Sequence, residues 1–334
     1  MFRKKGLQIV ICKSGQFGYA QGMMIRGARV VTPGRDLGVA DVRIENGVIT
    51  EVAAKVSPKE GERVVEADGL TLLPGFVDIH SHGRGGADFC DATDAAFDKI
   101  GRGKLADGVT GFLATGLTRP EEDLAEMCAA AGIVTSGGHS SADYETFERA
   151  RRAGMTHLTH FCNAMMPIHH LRPTMVTGGL LADDVFVEII TDGVHLSDPM
   201  IKLIAKAKGP DRVMIITDAM CAAGEPDGMY SLGGLSVKVE KGRATLADVP
   251  YDPKAIVSNV AGSVALFPDC FRRFVRVTGW PLHEAVKAAG YNQLRSLGIL
   301  GRGEIAAGQV ADLVLVDESL APRMTIVGGE VMRS

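Results

Sequence analysis

The chain has 334 residues, 46 % apolar and 23 % charged, enough for one large domain with a sizeable core and a smaller companion. A net charge of −4 offers no basic face to nucleic acid or an anionic membrane, and no apolar run approaches a membrane span. The six cysteines (Cys12, Cys90, Cys128, Cys162, Cys221, Cys270) are scattered, without a CxxC pair or framework spacing, so free thiols and a cytoplasmic protein are expected.

Residues 1–21 carry no usable pattern and stay unassigned; their apolar run is too short and interrupted for a signal peptide. From Met23 the text is β-like: Met24-Ile25-Arg26, Arg29-Val30-Val31, Asp41 to Glu45, then Asn46-Gly47, then Val48 to Val52. An Asn-Gly between two alternating runs predicts a hairpin. The same texture returns at Ala311 to Val316 and Thr325 to Val331. Residues 22–73 and 305–334 are therefore expected to pair into a small β-sandwich domain.

Residues 74–304 alternate strand-like and helix-like runs. Strands are predicted at 75–80, 109–115, 133–138, 156–161, 185–191 and 212–217, and helices over Ala92 to Ala106, Glu121 to Ala131, Tyr144 to Ala153 and Pro199 to Ala207. Such alternation implies a parallel sheet, either open or closed into a barrel. His80, His139, His160, His195 and Asp218 all stand at or just past the C-terminal ends of their strands. In a barrel those ends converge on one face, so the fold class predicted is α/β, a TIM-like (β/α) barrel.

The chemistry concentrates first in Pro74-Gly75-Phe76-Val77-Asp78-Ile79-His80-Ser81-His82-Gly83. Strand side chains alternate faces, so His80 and His82 point the same way, one pleat apart, which suits a metal. His139 closes the run from Ile133, and His160 the run from Thr156. Histidines at four strand ends point to a metal site, and a set of imidazoles and carboxylates that keeps a position open suits a catalytic divalent ion, zinc first and iron next. His157 is expected as a buried structural histidine. Asp218 follows Val213-Met214-Ile215-Ile216-Thr217 and reads as metal ligand or general base, with a helix N-cap as the plain alternative.

Taken with Gly138-His139-Ser140, Thr159-His160-Phe161-Cys162-Asn163-Ala164-Met165, Asp192-Gly193-Val194-His195, Thr217-Asp218-Ala219 and Ala261-Gly262-Ser263, this motif set resembles the N-acetylglucosamine-6-phosphate deacetylases of the amidohydrolase superfamily. The likeness runs from Met23 to Val331. It implies that His139 and His160 hold the metal, while His80 and His82 stand as candidate ligands on their spacing. Asp218 would move the proton from water to the leaving amine, and His195 would contact the sugar near the acetamide. The backbone of Asn163 and Ala164, with Arg172 and His170, would receive the phosphorylated end. A phosphorylated amino sugar is thus the expected partner, and a homodimer the expected assembly.

The sequence departs from that pattern in two places. The family's His-Leu-Glu-Gly-Pro-Phe segment, whose glutamate is a metal ligand, has no counterpart, since Phe112 to Glu121 runs straight into the next helical stretch. The shortfall amounts to about two βα units, each on the order of 30 residues, matching six predicted strands against the eight of a closed barrel. The family's arginine directly follows a His-His pair, whereas Leu171 separates His170 from Arg172 here. An amidohydrolase acting on another amide or cyclic amide, or an impaired sugar-phosphate-binding remnant, are the alternatives these departures leave open.

Overall fold

The computed structural model describes residues 10–11, 22–91, 93–115, 134–249 and 259–333. They gather into two compact units. One takes the described parts of Ile79–Ile100 and Leu113–Leu266; the other takes those of Val10–Asp78, Gly101–Phe112 and Phe267–Ser334.

In the second of these units the two chain ends share one continuous eight-stranded sheet. Met23–Thr32 pairs antiparallel with Arg35–Glu45, and Arg35–Glu45 with Val48–Ala53. Asn46 and Gly47 both take positive φ, 52° and 78°, in the two-residue loop between the partners Glu45 and Val48, as the dipeptide predicts. Thr71–Pro74 lies beside Met23–Thr32 on one side and Leu313–Val316 on the other, Pro322–Val327 and Glu330–Arg333 follow, and Arg63–Glu66, parallel to Met23–Thr32, is the eighth strand. Ile25, Val42, Ile44, Leu72, Leu313, Leu315 and Ile326 enter one buried cluster, the period-two signature of a sheet with one apolar face.

Residues 267–304 gather with this sheet rather than with the stretch before them. The physical reason is aromatic: on the helix Phe267–Thr278, Phe267 and Phe271 each pack their rings 5.2 Å from that of Phe76. All three rings are buried, and side chains of that size dominate the local burial. The same unit holds a buried ion pair in which Lys104 Nζ donates to Asp78 Oδ2 at 2.6 Å.

The other unit contains four short parallel strands, Ser136–Gly137, His157–Leu158, Phe186–Ile189 and Val213–Ile215, paired in that order. The helices Tyr144–Arg152, Met175–Leu181 and Asp198–Lys208 alternate with them, which is the βαβ construction the sequence predicts. Asp143 starts the first helix by accepting from Thr146 N at 2.8 Å. The strands are shorter than predicted: His157–Leu158 stops two residues before His160, where the backbone turns at a φ of 32°, and Phe161 N then donates to Glu188 O of the neighbouring strand. Helix Met175–Leu181 approaches its neighbours closely through two glycines. A Cβ on Gly178 would lie 2.2 Å from the Phe147 ring, and one on Gly179 2.5 Å from Leu158 Cδ1. Gly178→Ala is therefore expected to destabilise by about 1–3 kcal/mol through overpacking; an unchanged urea midpoint would contradict this close approach.

Two features go beyond the sequence reading. Gly228–Leu232, Leu235–Glu240 and Arg243–Leu246 form an antiparallel three-stranded sheet whose Val237, Val239 and Ala244 pack with Met220 and Ala222. Val10–Ile11, within the stretch left unassigned, pairs antiparallel with Gly111 and Phe112. It takes the edge of a three-stranded sheet with Val109–Ala114 and Phe76–Ser81. Among the described residues Val109–Ala114 shares no ladder with Ser136–Gly137. The helix predicted over Glu121 to Ala131 lies outside the described residues. Among those described, Cys90, Cys162, Cys221 and Cys270 are free thiols, and no helix is long and apolar enough to cross a membrane.

Candidate functional site

The strand Phe76–Ser81 and the chain just past Val213–Ile215 end side by side. Asp218 N donates to His80 O at 2.9 Å, Ser81 bridges Ala219, and Ala219 in turn bridges Ser263. This backbone arrangement brings the side chains together. His80 Nε2 lies 3.3 Å and His82 Nε2 3.2 Å from the same Oδ1 of Asp218. Donor atoms of His80, His82 and Asp218 all fall within 4.8 Å of one another. His160 packs edge-on to His80 with ring centroids 5.7 Å apart, and His139 to His160 at 4.6 Å. The five side chains predicted as metal ligands or base therefore form one cluster.

The local backbone is strained at three of them. His139, His160 and Asp218 have φ of 44°, 32° and 51°, a region L-residues visit rarely and that recurs at active sites. All three lie two or three residues past the ends of their strands, Ser136–Gly137, His157–Leu158 and Val213–Ile215.

The donor chemistry fits a divalent cation. His82 Nδ1 lies 3.1 Å from the carbonyl oxygen of Thr115, which can only accept, so the ring hydrogen belongs on Nδ1. Its Nε2 lies 3.2 Å from a carboxylate oxygen, an approach that puts either a proton or a metal ion between the two atoms. His160 adds a buried Nδ1 with no hydrogen-bond partner, and burial pushes its pKa down to about 4, so at neutral pH it is an uncharged donor. Burial would raise the Asp218 carboxyl, but hydrogen bonds from His80 and His82 hold it well below the usual carboxylate range.

His195 sits in a turn built by Asp192, a residue the sequence reading did not assign a role. Asp192 Oδ1 accepts from Val194 N and His195 N, both at 2.9 Å, and Oδ2 meets His195 Nδ1 at 2.8 Å. Burial would lower the His195 pKa, yet the Asp192 pair, helped by the charge of Asp218, raises it. Asx turns of this kind were legible in the Asp-Gly dipeptide. Thr159, whose Oγ1 lies 2.7 Å from His80 Nδ1, and Glu188, buried and bonded to Ser136 Oγ at 3.1 Å, were also missed. A polar residue inside a β-run signals them only once the sheet register is known.

Asn163 spends its side-chain amide on its own turn, donating to His160 O at 3.1 Å, and Ala164 follows at φ 52°. His170 and Arg172 lie on the exposed stretch before Thr174, the N-cap of helix Met175–Leu181. There the Arg172 guanidinium comes within 3.4 Å of His169 Nε2. His157 is buried, with Nδ1 2.9 Å from Thr156 Oγ1 and its ring stacked on Phe186, as expected of a structural histidine. Nucleophilic alternatives are weak: burial pushes the Cys162 thiol up to about 12, and Ser263 Oγ donates to Thr217 O at 2.5 Å.

The sequence pattern of the amidohydrolase family matches residues 121–332. The chain belongs to the amidohydrolase family. Within that family it is 28 % identical to the N-acetylglucosamine-6-phosphate deacetylase of Lysinibacillus sphaericus, with 92 % of this chain and 97 % of that enzyme covered. That match runs over 387 residues, more than this amidohydrolase possesses, so parts of the relative have no counterpart here. Among solved structures, the N-acetylglucosamine-6-phosphate deacetylase of Thermotoga maritima superposes with a TM-score of 0.81 at 31 % identity, covering 93 % of this chain and 100 % of that one. A point mutant of the Mycobacterium smegmatis deacetylase in complex with N-acetyl-D-glucosamine 6-phosphate gives 0.84 at 28 % identity, covering 94 % and 100 %.

Proposed function

We propose that the chain hydrolyses the acetamide of N-acetylglucosamine 6-phosphate to glucosamine 6-phosphate and acetate. The observation that carries this reading is the pair of histidine Nε2 atoms aimed at one oxygen of Asp218, 3.3 and 3.2 Å away, in a chain similar to deacetylases over nearly its whole length. His80, His82, His139 and His160 would hold a divalent ion, which supplies Lewis acidity at the scissile amide. Asp218, ionised at neutral pH, takes a proton from the attacking water and delivers it to the departing nitrogen, so the hydroxyl ends on acetate and the proton on the amine. His195, fixed by Asp192 through Nδ1, presents Nε2 to the sugar. We read the parallel strands as a (β/α) barrel short of about two βα units, a reading supported by a match longer than the chain itself.

Release of acetate from N-acetylglucosamine 6-phosphate, measured beside unphosphorylated N-acetylglucosamine and a cyclic imide, tests the proposal. Hydrolysis of the imide alone would move the substrate class, and a metal-loaded chain inert towards all three would make it a binding protein. Arg172 is the proposed phosphate ligand, since a guanidinium fork matches the phosphate oxygens. Arg172→Ala is expected to raise KM for the phosphorylated sugar roughly tenfold or more, a charge-assisted hydrogen bond contributing about 1.5–3 kcal/mol. The unphosphorylated analogue should be unaffected; equal effects on both would remove Arg172 from the phosphate site.

A further inference from the structure

His80 and His82 turn their Nε2 atoms on the same carboxylate oxygen, but their Nδ1 atoms are anchored differently. His82 Nδ1 faces the Thr115 carbonyl at 3.1 Å, an acceptor without a proton, so its tautomer is fixed. His80 Nδ1 faces the Thr159 hydroxyl at 2.7 Å, and a hydroxyl both donates and accepts.

We propose that Thr159 is the positioning residue of His80, a contact that serves this ring in both of its neutral tautomers. The inference rests on the metal-dependent reading above. In the metal-free protein His80 carries its hydrogen on Nε2, directed at Asp218 Oδ1 3.3 Å away, and the Thr159 hydroxyl donates to Nδ1. A divalent ion held by His80 would take the Nε2 lone pair, and the ring hydrogen would then sit on Nδ1 with the Thr159 hydroxyl rotated to accept it. The ring would lose one proton to solvent at Nε2 and regain one at Nδ1, so its charge would be unchanged. A carbonyl in place of Thr159 would hold His80 in the metal-binding tautomer and set its Nε2 lone pair against Asp218 whenever the ion was absent.

The surroundings fix the threonine for this task. Its backbone is tied into the sheet by Thr159 N donating to Gly137 O at 2.9 Å. Its methyl is accommodated by the missing side chain of Gly138, where a Cβ would lie 2.5 Å from Thr159 Cγ2. A β-branched side chain has few χ1 choices, and with the methyl seated against Gly138 the hydroxyl is left towards His80.

The test is a chelator-competition titration of zinc on the stripped full chain, comparing wild type with Thr159→Val, which keeps the shape, and Thr159→Ser, which keeps the hydroxyl. Thr159→Val is expected to bind zinc roughly 10- to 100-fold more weakly, the usual effect of removing the partner of a ligating histidine, with Thr159→Ser within about threefold of wild type. Wild-type affinity in Thr159→Val, or equal losses in both variants, would overturn the proposal. A second measurement needs no variant: ring ¹⁵N shifts of His80 should report hydrogen on Nε2 without zinc and on Nδ1 with it. The same tautomer in both states would overturn the proposal as well. A wild-type chain that takes up no zinc would overturn the underlying metal reading, and is seen before any variant is compared.

Discussion

Asp218→Asn is expected to lower turnover of N-acetylglucosamine 6-phosphate by roughly 10²- to 10⁴-fold, the range a positioned general base contributes, while KM moves little. Asp218 is 8 % exposed, and burial alone would drive its carboxyl towards the neutral acid. His80 and His82 reverse that and hold it well below the ordinary carboxylate range, so it is ionised and able to take a proton at neutral pH. An amide of nearly the same shape cannot. The backbone should tolerate the change, because Asp218 sits at φ 51°, a conformation asparagine adopts readily. The measurement is kcat and KM for acetate release, with metal content determined on the same sample. A metal-loaded Asp218→Asn that turns over near the wild-type rate would remove Asp218 from the proton path.

How far the sequence foretells this site depends on whether the signal is local. The histidine pair at 80 and 82, the glycine-rich ends before His139 and the apolar run into Asp218 are local patterns, and the structure brings those side chains into one cluster. The Asn46-Gly47 hairpin is equally local. What stayed hidden needed the register between strands. Thr159 becomes the partner of His80 only because the ends of their strands meet across 79 residues of chain. Glu188 looks like a solvent-facing glutamate in Phe186-Val187-Glu188-Ile189 until its neighbour Ser136 is known. The three-stranded sheet over Gly228–Leu246 was missed for another reason. Its middle strand, Leu235–Glu240, shows Ser236, Lys238 and Glu240 to solvent and only Val237 and Val239 to the core, and so little apolar text is easily taken for loop. Yet Gly233-Gly234 between Leu232 and Leu235 was a readable hairpin turn. The grouping of residues 267–304 with the terminal sheet rests on Phe76 packing against Phe267 and Phe271, a long-range contact that no sequence period announces.

Removing the divalent ion is expected to reduce acetate release to background, with zinc restoring it, and the chain is expected to hold that ion more weakly than its longer relatives. The family resemblance includes a glutamate ligand that has no counterpart in this sequence, and four of the five clustered donor residues are histidines that bind metal as neutral groups. Among the described residues Asp218 is then the one carboxylate of the cluster, and it is also the proposed base. Glu188 is buried in the same sheet but already engaged with Ser136. Two unit charges 4 Å apart near a protein surface interact by about 4 kcal/mol, and each 1.4 kcal/mol is about tenfold in affinity. Losing one carboxylate should therefore weaken binding by roughly tenfold at the least, and slow acetate release with it. A chelator-competition titration beside the Thermotoga maritima deacetylase reads this directly. Equal affinity together with equally rapid acetate release would show the inference to be wrong, and would direct attention to Glu121, which lies outside the described residues, as the carboxylate that takes the glutamate's place.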